Sequence, residues 1–306
     1  MLTATHCAGF LISVTSAGLV LPANNQQMNK IVFTVIFLCW MSPFLKAQTL
    51  QPWKIQLPKG ETYSIKLSLK SRIDQQVMGQ DMKIVNDVTT VTHFRVVSVT
   101  EKGHVVEQST KGMKMNMEMM GQTVAYDSEN KEDETSAIGE RMKPLLGATM
   151  EAVIGFDGSV TVTRPLDLGD LPSGSMGPAG NDSAMIRNYF LKPPTIALSS
   201  GQSWSEVEVN GDNRSSTKFT YLKSEGGFAW FSFESEINTV QTLTNNGMEV
   251  LTTMQTKGTG QLKVELSTGI VVERTFDGKL NGKSEVMAME IPQEGTQQMT
   301  TVISRN

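Results

Sequence analysis

Apolar and polar side chains alternate along most of the chain. The segment Tyr63-Ser64-Ile65-Lys66-Leu67-Ser68-Leu69 reads apolar at every second position, the pattern of a half-buried strand. Residues 94–100 and 105–111 flank a turn at Glu101-Lys102-Gly103, and residues 153–163 are broken by Phe156-Asp157-Gly158. An Asp-Gly step tolerates the positive φ angles of a tight hairpin. Similar punctuation falls at Glu225-Gly226-Gly227, Asn245-Asn246-Gly247, Ser267-Thr268-Gly269 and Asp277-Gly278. Strands joined by such short turns are antiparallel, because a parallel crossover needs a dozen or more residues. The pattern predicts an all-β-dominated fold: a large twisted antiparallel sheet, or an open or half barrel, with one or two short helices. The helical candidates are residues 136–146, interrupted by Pro144, and residues 183–191, stopped by Pro193-Pro194. Residues 164–182 are rich in Gly, Pro, Ser and Asp and read as a long connection.

The N-terminal region follows different rules. Met28-Asn29-Lys30 precedes the apolar run 31–41, and Leu45-Lys46-Ala47 follows it. A basic start, a short apolar stretch and a small residue at the cut define a secretory signal peptide over 28–47, cleaved after Ala47. The run is too short to span a bilayer comfortably. Residues 1–27 then read as an upstream extension, with Met28 the true start. The rival reading is an N-terminal anchor built from residues 10–21. Cleavage removes Cys7 and Cys39, both cysteines of the chain, so the mature protein needs no disulfide framework. Residues 48–306 are expected to form a single β-rich domain without a stable membrane-spanning segment, periplasmic or secreted.

Composition places the chain among globular proteins, with 39% apolar and 19% charged residues over its 306 residues. The leader holds two of the 27 basic residues and none of the 31 acidic ones, so the mature chain has 25 basic against 31 acidic. That acidic balance argues against a nucleic-acid footprint. Two stretches, about 54–163 and 195–290, echo each other in order. Lys59-Gly60-Glu61-Thr62-Tyr63 resembles Ser200-Gly201-Gln202-Ser203-Trp204, and Thr100-Glu101-Lys102-Gly103-His104 resembles Ser224-Glu225-Gly226-Gly227-Phe228. A pseudo-repeat and the general likeness of β-hairpins both account for this.

The methionines are the most distinctive chemistry. Met113, Met115, Met117 and Met119 recur at every second position and share one face of a strand, with Met78 and Met82 on a candidate neighbour. Three readings are open: adaptable core filler, a soft apolar cavity for ligands of varied shape, and thioether ligation of Cu(I). No Cys or His accompanies the cluster, so no metal or cofactor is assigned. In Phe228-Ala229-Trp230-Phe231-Ser232-Phe233 both strand faces are apolar, with Trp230 beside Phe228 and opposite Phe231 and Phe233. A helix, a second sheet or a ligand would cover the second face, which adds Trp230 to the candidate site. The acidic run Asp127, Glu129, Glu132, Asp133, Glu134 lacks the Gly and spacing of an EF-hand and reads as a solvated connection. Gly201-Gln202-Ser203-Trp204-Ser205 misses the final glycine of a nucleophile elbow. His93 and His104 are the only histidines left, and no acid–base–nucleophile set can be assembled, so no catalytic residue is assigned.

Residues 76–80 and 113–121 carry a resemblance to the DUF6263 family of exported proteins of unknown function, common in Bacteroidetes. The shared order is Lys-Gly-x-x-Tyr at 59–63, Met-Gly-rich strands, Phe-Asp-Gly at 156–158, Gly-x-x-Trp at 201–204 and Ser-Thr-Gly at 267–269. The resemblance covers nearly all of residues 54–290 and carries over no catalytic residue. It implies, by analogy of fold alone, the open lipid-cradling architecture of periplasmic lipoprotein carriers. The sequence thus points to an exported, non-catalytic binder of an apolar or amphipathic, lipid-like ligand in the cell envelope. The alternative is an envelope structural or protein-interaction module with no small ligand; the sequence names no protein partner. Expression of the full reading frame in a secreting bacterium, followed by N-terminal sequencing of the exported protein, is expected to give Gln48 as the first residue. A product beginning at Met1 or Met28 would contradict the leader.

Overall fold

The computed structural model describes residues 49–77, 79–166, 182–245, 248–286 and 289–306. The leader, the upstream extension, Met78 and most of the 164–182 connection lie outside the described residues.

The strands are β1 (Thr49–Leu50), β2 (Thr62–Val77), β3 (Gln80–Thr100), β4 (Gly103–Met119), β5 (Gln122–Asp127), β6 (Thr149–Ile154), β7 (Val160–Arg164), β8 (Leu198–Ser199), β9 (Ser203–Asn210), β10 (Asn213–Glu225), β11 (Phe228–Asn245), β12 (Met248–Glu265), β13 (Val271–Val286) and β14 (Met289–Arg305). Short helices occur at α1 (Lys131–Glu134), α2 (Ala137–Met142) and α3 (Asp182–Arg187). Twelve strands form one antiparallel sheet in the order β7-β6-β4-β3-β2-β14-β13-β12-β11-β10-β9, with β5 paired to the far half of β4. The 21 residues of β3 reach about 70 Å at the usual rise per strand residue. The predicted all-β open sheet is the observed fold. Both helical candidates are present: Ser136 caps α2 by accepting from Gly139 N at 3.0 Å, and α3 overlaps the second over residues 183–187.

Direct partners across an antiparallel ladder share a face, so the register carries one face across the whole sheet. One row runs Met113, Thr90, Leu67, Thr301, Arg274, Leu262, and the next runs Met115, Val88, Leu69, Met299, Phe276, Gly260. This is the inner face, because the chain packs against it at one end of the strands, the base. There residues 50–57 supply Leu50, Trp53, Ile55 and Leu57, and residues 186–198 supply Ile186, Tyr189, Phe190, Leu191 and Leu198, all buried. They meet Tyr63, Phe94, Val106, Met150 and Ile154 on one side, and Tyr221, Phe231, Leu262 and Val264 on the other. Backbone bonds fix this plug, with Ile55 N donating to Phe156 O at 3.0 Å and Gln56 N to Thr268 O at 3.1 Å. The edges β7 and β9 do not pair among the described residues, but α3 packs on β7 while its Arg187 forms a 2.6 Å ion pair with Glu208 of β9. The sheet therefore curls around the plug and stays open between its edges.

The two halves begin alike. Gly60 N donates to Val96 O (2.8 Å) and Val96 N to Glu61 O (2.9 Å); Gly201 N donates to Tyr221 O (2.8 Å) and Tyr221 N to Gln202 O (2.9 Å). Both glycines take a positive φ, 87° and 85°. A register shift follows at Val96/Ser98 in β3 and at Tyr221/Lys223 in β10.

One expected turn is absent. Asp277-Gly278 lies inside β13, continuously paired on both sides. Gly278 makes room rather than a bend, since a Cβ there would stand 2.7 Å from the Phe276 ring. Gly258, its direct partner, would meet the same ring at 2.6 Å, and Gly260 would meet Phe233 at 2.5 Å. The two rings stack over these glycines with 5° between their planes. Gly258→Val is expected to destabilise the fold by about 1–3 kcal/mol through overpacking, read as a lowered urea midpoint. Thr259→Val, one residue on and facing outward, is the control expected to change little.

Candidate functional site: a methionine-lined inner wall

The far end of the strands carries the hairpins β2–β3, β4–β5, β11–β12 and β13–β14. Above the plug, the inner face there is built from rows of direct partners. Met117, Asn86, Ser71, Gln297, Gly278 and Gly258 form one, and Met119, Ile84, Ile73, Gly295, Leu280 and Thr256 the next. Met82 follows beside Gln75, whose Nε2 lies 3.0 Å from its sulfur.

Met113, Met115, Met117, Met119 and Met82 thus stand on one face, as alternation requires. Their burial is graded. Met113 is 9% exposed and Met119 44%. Met113 and Met115 pack with Tyr126 of β5, Ile138 and Met142 of α2, Leu145 and Leu146. Those two are therefore core filler, while Met117 and Met119 continue the wall beyond the helix. Met120 sits in the turn with φ 53° and is 68% exposed.

Trp230 does not join them. It lies on the outer face, opposite the buried Ala229, Phe231 and Phe233, which corrects its place in the candidate site. The second cover expected for β11 is a pair of lysines: Lys223 Nζ is 4.8 Å and Lys263 Nζ 5.3 Å from the Trp230 ring centroid.

The outer face carries charges on its middle strands, with Lys66, Lys70, Arg72 and Asp74 on β2, Lys257 on β12, and Asp277 and Lys279 on β13. A groove of about 780 Å³ crosses it over the backbone of Ser71, Asn86, Gly258, Gly278 and Gln297. Its lining includes the Lys70–Asp87 ion pair together with Val85, Thr259 and Thr296.

Charged groups also reach the interior. Glu206 on β9 accepts from Trp204 Nε1 at 3.1 Å, and burial raises its carboxyl above the usual range against the opposing pull of that bond and of Lys192. Glu208 pairs with Arg187. Arg274 Nη1 donates to Asn188 Oδ1 at 2.7 Å.

The remaining chemistry is structural. His104 is buried, its Nε2 3.1 Å from Ile55 O and its ring 5.1 Å from Phe156. His93 faces outward between Ser64 and Ser109. In the acidic run, Asp127 accepts from Glu129 N and Lys114 Nζ, which hold its carboxyl below the usual range, and Asp133 accepts from Asp127 N. These carboxylates tie the end of β5 to α1, which Asn130 caps by accepting from Glu132 N. Among the described residues no group of three or more His, Cys, Asp or Glu could hold a metal ion. Sequence reasoning missed Glu206 and Arg274 because only the register shows which charges face inward.

No family model matches the chain, and no curated protein matches it by sequence. Among solved structures it is similar to an outer membrane channel from Pseudomonas putida F1 (9% identity, 82% of this chain and 97% of that one, TM-score 0.20). It is also similar to the translocator domain of the autotransporter NalP from Neisseria meningitidis (8%, 91% and 97%, 0.21) and to the beta domain of the Bordetella autotransporter BrkA (11%, 80% and 99%, 0.22). Scores this low carry no argument about this chain. No helix among the described residues is long and apolar enough to cross a membrane.

The raised carboxyl of Glu206 fixes a sign. A carboxyl with a raised folded-state pKa supports the fold most when protonated, and that support is lost as pH rises through the folded value. Glu206→Gln is therefore expected to raise the melting temperature at pH 8, with the gain vanishing by pH 3. Equal shifts at both pH values would contradict the burial.

Proposed function

We propose that this protein is an exported, non-catalytic binder of an apolar or amphipathic ligand, held against the inner wall above the plug. The observation that carries the reading is the wall itself. Met117, Met119, Met82, Ile84 and Ile73 extend this face beyond the last residues of the plug and of α2, interspersed with the polar Ser71, Gln75 and Asn86, while the opposite face carries most of the charge. Unbranched thioether side chains repack around varied shapes, which suits a lipid-like ligand. The leader over 28–47 supports export, and the order of motifs over 54–290 supports membership of the DUF6263 family. The matched starts at Gly60 and Gly201 support a duplicated hairpin unit that builds both walls of one sheet.

A second reading is favoured by one feature. Edge strand β9 leaves Val207 and Val209 largely exposed on its outer side, which suits pairing with another protein. The two readings separate in one experiment. Native mass spectrometry and organic extraction of protein purified without detergent are expected to release a lipid-like molecule from wild type. Met117→Asp is expected to weaken binding of a fluorescent fatty-acid probe about tenfold or more, since a charge replaces an apolar contact, while leaving the urea midpoint nearly unchanged. Clean protein that ignores the probe would reject ligand binding.

A further inference from the structure

Arg274 lies on the inner face of β13, in the same row of direct partners as Thr301, Leu67, Thr90 and Met113. That row is the boundary between the plugged base and the open wall. Its guanidinium carbon sits 4.8 Å from the ring centroid of Phe233, in the next row toward the far end. The group thus lies on the floor of the wall, beside the exposed Asn188 at the top of the plug. The other interior charges of the described residues are matched: Arg187 pairs with Glu208, and Lys192 faces Glu206. Arg274 is not. Its hydrogen-bond acceptor is the neutral Asn188 amide, and among the described residues no carboxylate pairs with it and its buried Nε has no partner. A cation in that state costs free energy unless something anionic joins it. Burial lowers its pKa to about 10, so it remains charged at neutral pH.

We propose that the ligand of the inner wall is a single-chain amphiphile with an anionic end, a carboxylate or a phosphate, and that Arg274 holds that end while the chain runs along Leu69, Ile73, Ile84 and Met117 toward the far hairpins. The inference rests on the proposed binding of an apolar ligand and adds the charge of its head. A planar guanidinium presents paired donors to either acid, and a ring beneath it keeps the fork oriented. The part of the fork that Asn188 does not engage is what such a head would meet.

The test compares oleate, oleoyl lysophosphatidic acid and oleyl alcohol as competitors of a fluorescent fatty-acid probe, with acetate and inorganic phosphate as free-anion controls. Wild type is expected to prefer the two acids over the alcohol by about tenfold or more, the worth of one charge-assisted bond, and to ignore the free anions. Arg274→Met is expected to bring acids and alcohol within about twofold of each other, the alcohol's affinity being kept, and Arg274→Lys to restore part of the preference. Equal binding of all three amphiphiles by wild type would overturn the anionic head and leave the apolar site standing. Competition by acetate or phosphate alone would overturn it in favour of a simple anion site. Failure of every amphiphile to bind would remove both proposals.

Discussion

The constraint on which this structure rests is the uneven coverage of one face. Long antiparallel strands put every second side chain on the inside; β2, β3 and β4 run for 16, 21 and 17 residues, with register shifts at Val91/Thr92 and Val96/Ser98 of β3 toward the base. A fold can leave such a face dry only by laying something against it. Here the chain lays two segments, 50–57 and 186–198, and they reach only the base, where Ile55, Ile186, Phe94 and Phe231 are fully buried or nearly so. Beyond Met115 the pattern continues and the cover from the described residues does not. Everything proposed about ligands follows from that mismatch between the length of the strands and the length of the plug.

The same alternation explains the outer surface. Cross-strand charge pairs such as Lys70–Asp87 and Lys257–Glu236 decorate it, each exposed and each worth little on its own. Their joint effect is solubility rather than stability. Glu206 is different in kind, because burial reduces the water around it, and it responds by holding its proton more tightly. Arg187 and Glu208, both partly exposed, pair across the gap between the sheet's edges. That pair, with α3 on β7, holds the curl where no ladder of backbone bonds closes it.

Local chemistry was readable from the sequence wherever one residue decides the backbone. Gly103, Gly158, Gly226, Gly227 and Gly269 mark turns because each needs a positive φ. Ser136 marks a helix start because its side chain satisfies a free N–H. Asp277-Gly278 carries the same signature and means something else: Gly278 is small so that the ring of Phe276, two residues earlier on the same face of β13, can lie over it, a packing demand that the turn signature hides. Trp230 was placed on the correct strand face beside Phe228, but only the register against Lys223 and Lys263 shows that this face is the outer one. The shared face of Met113 to Met119 followed from period two alone. Its split into packed and open halves did not, since α2 and Leu145 come from a connection whose docking the sequence does not encode locally.

The most direct measurement of the central claim is the accessibility of alternate positions to a lipid-borne quencher. Single cysteines introduced at Asn86, Val85, Ile84 and Lys83 in the mature chain, labelled with bimane and exposed to a brominated fatty acid, sample both faces of β3. The account expects strong quenching at positions 84 and 86 and weak quenching at 83 and 85. Uniform quenching, or quenching confined to 83 and 85, would mean that the inner face above the plug is not where an apolar molecule goes.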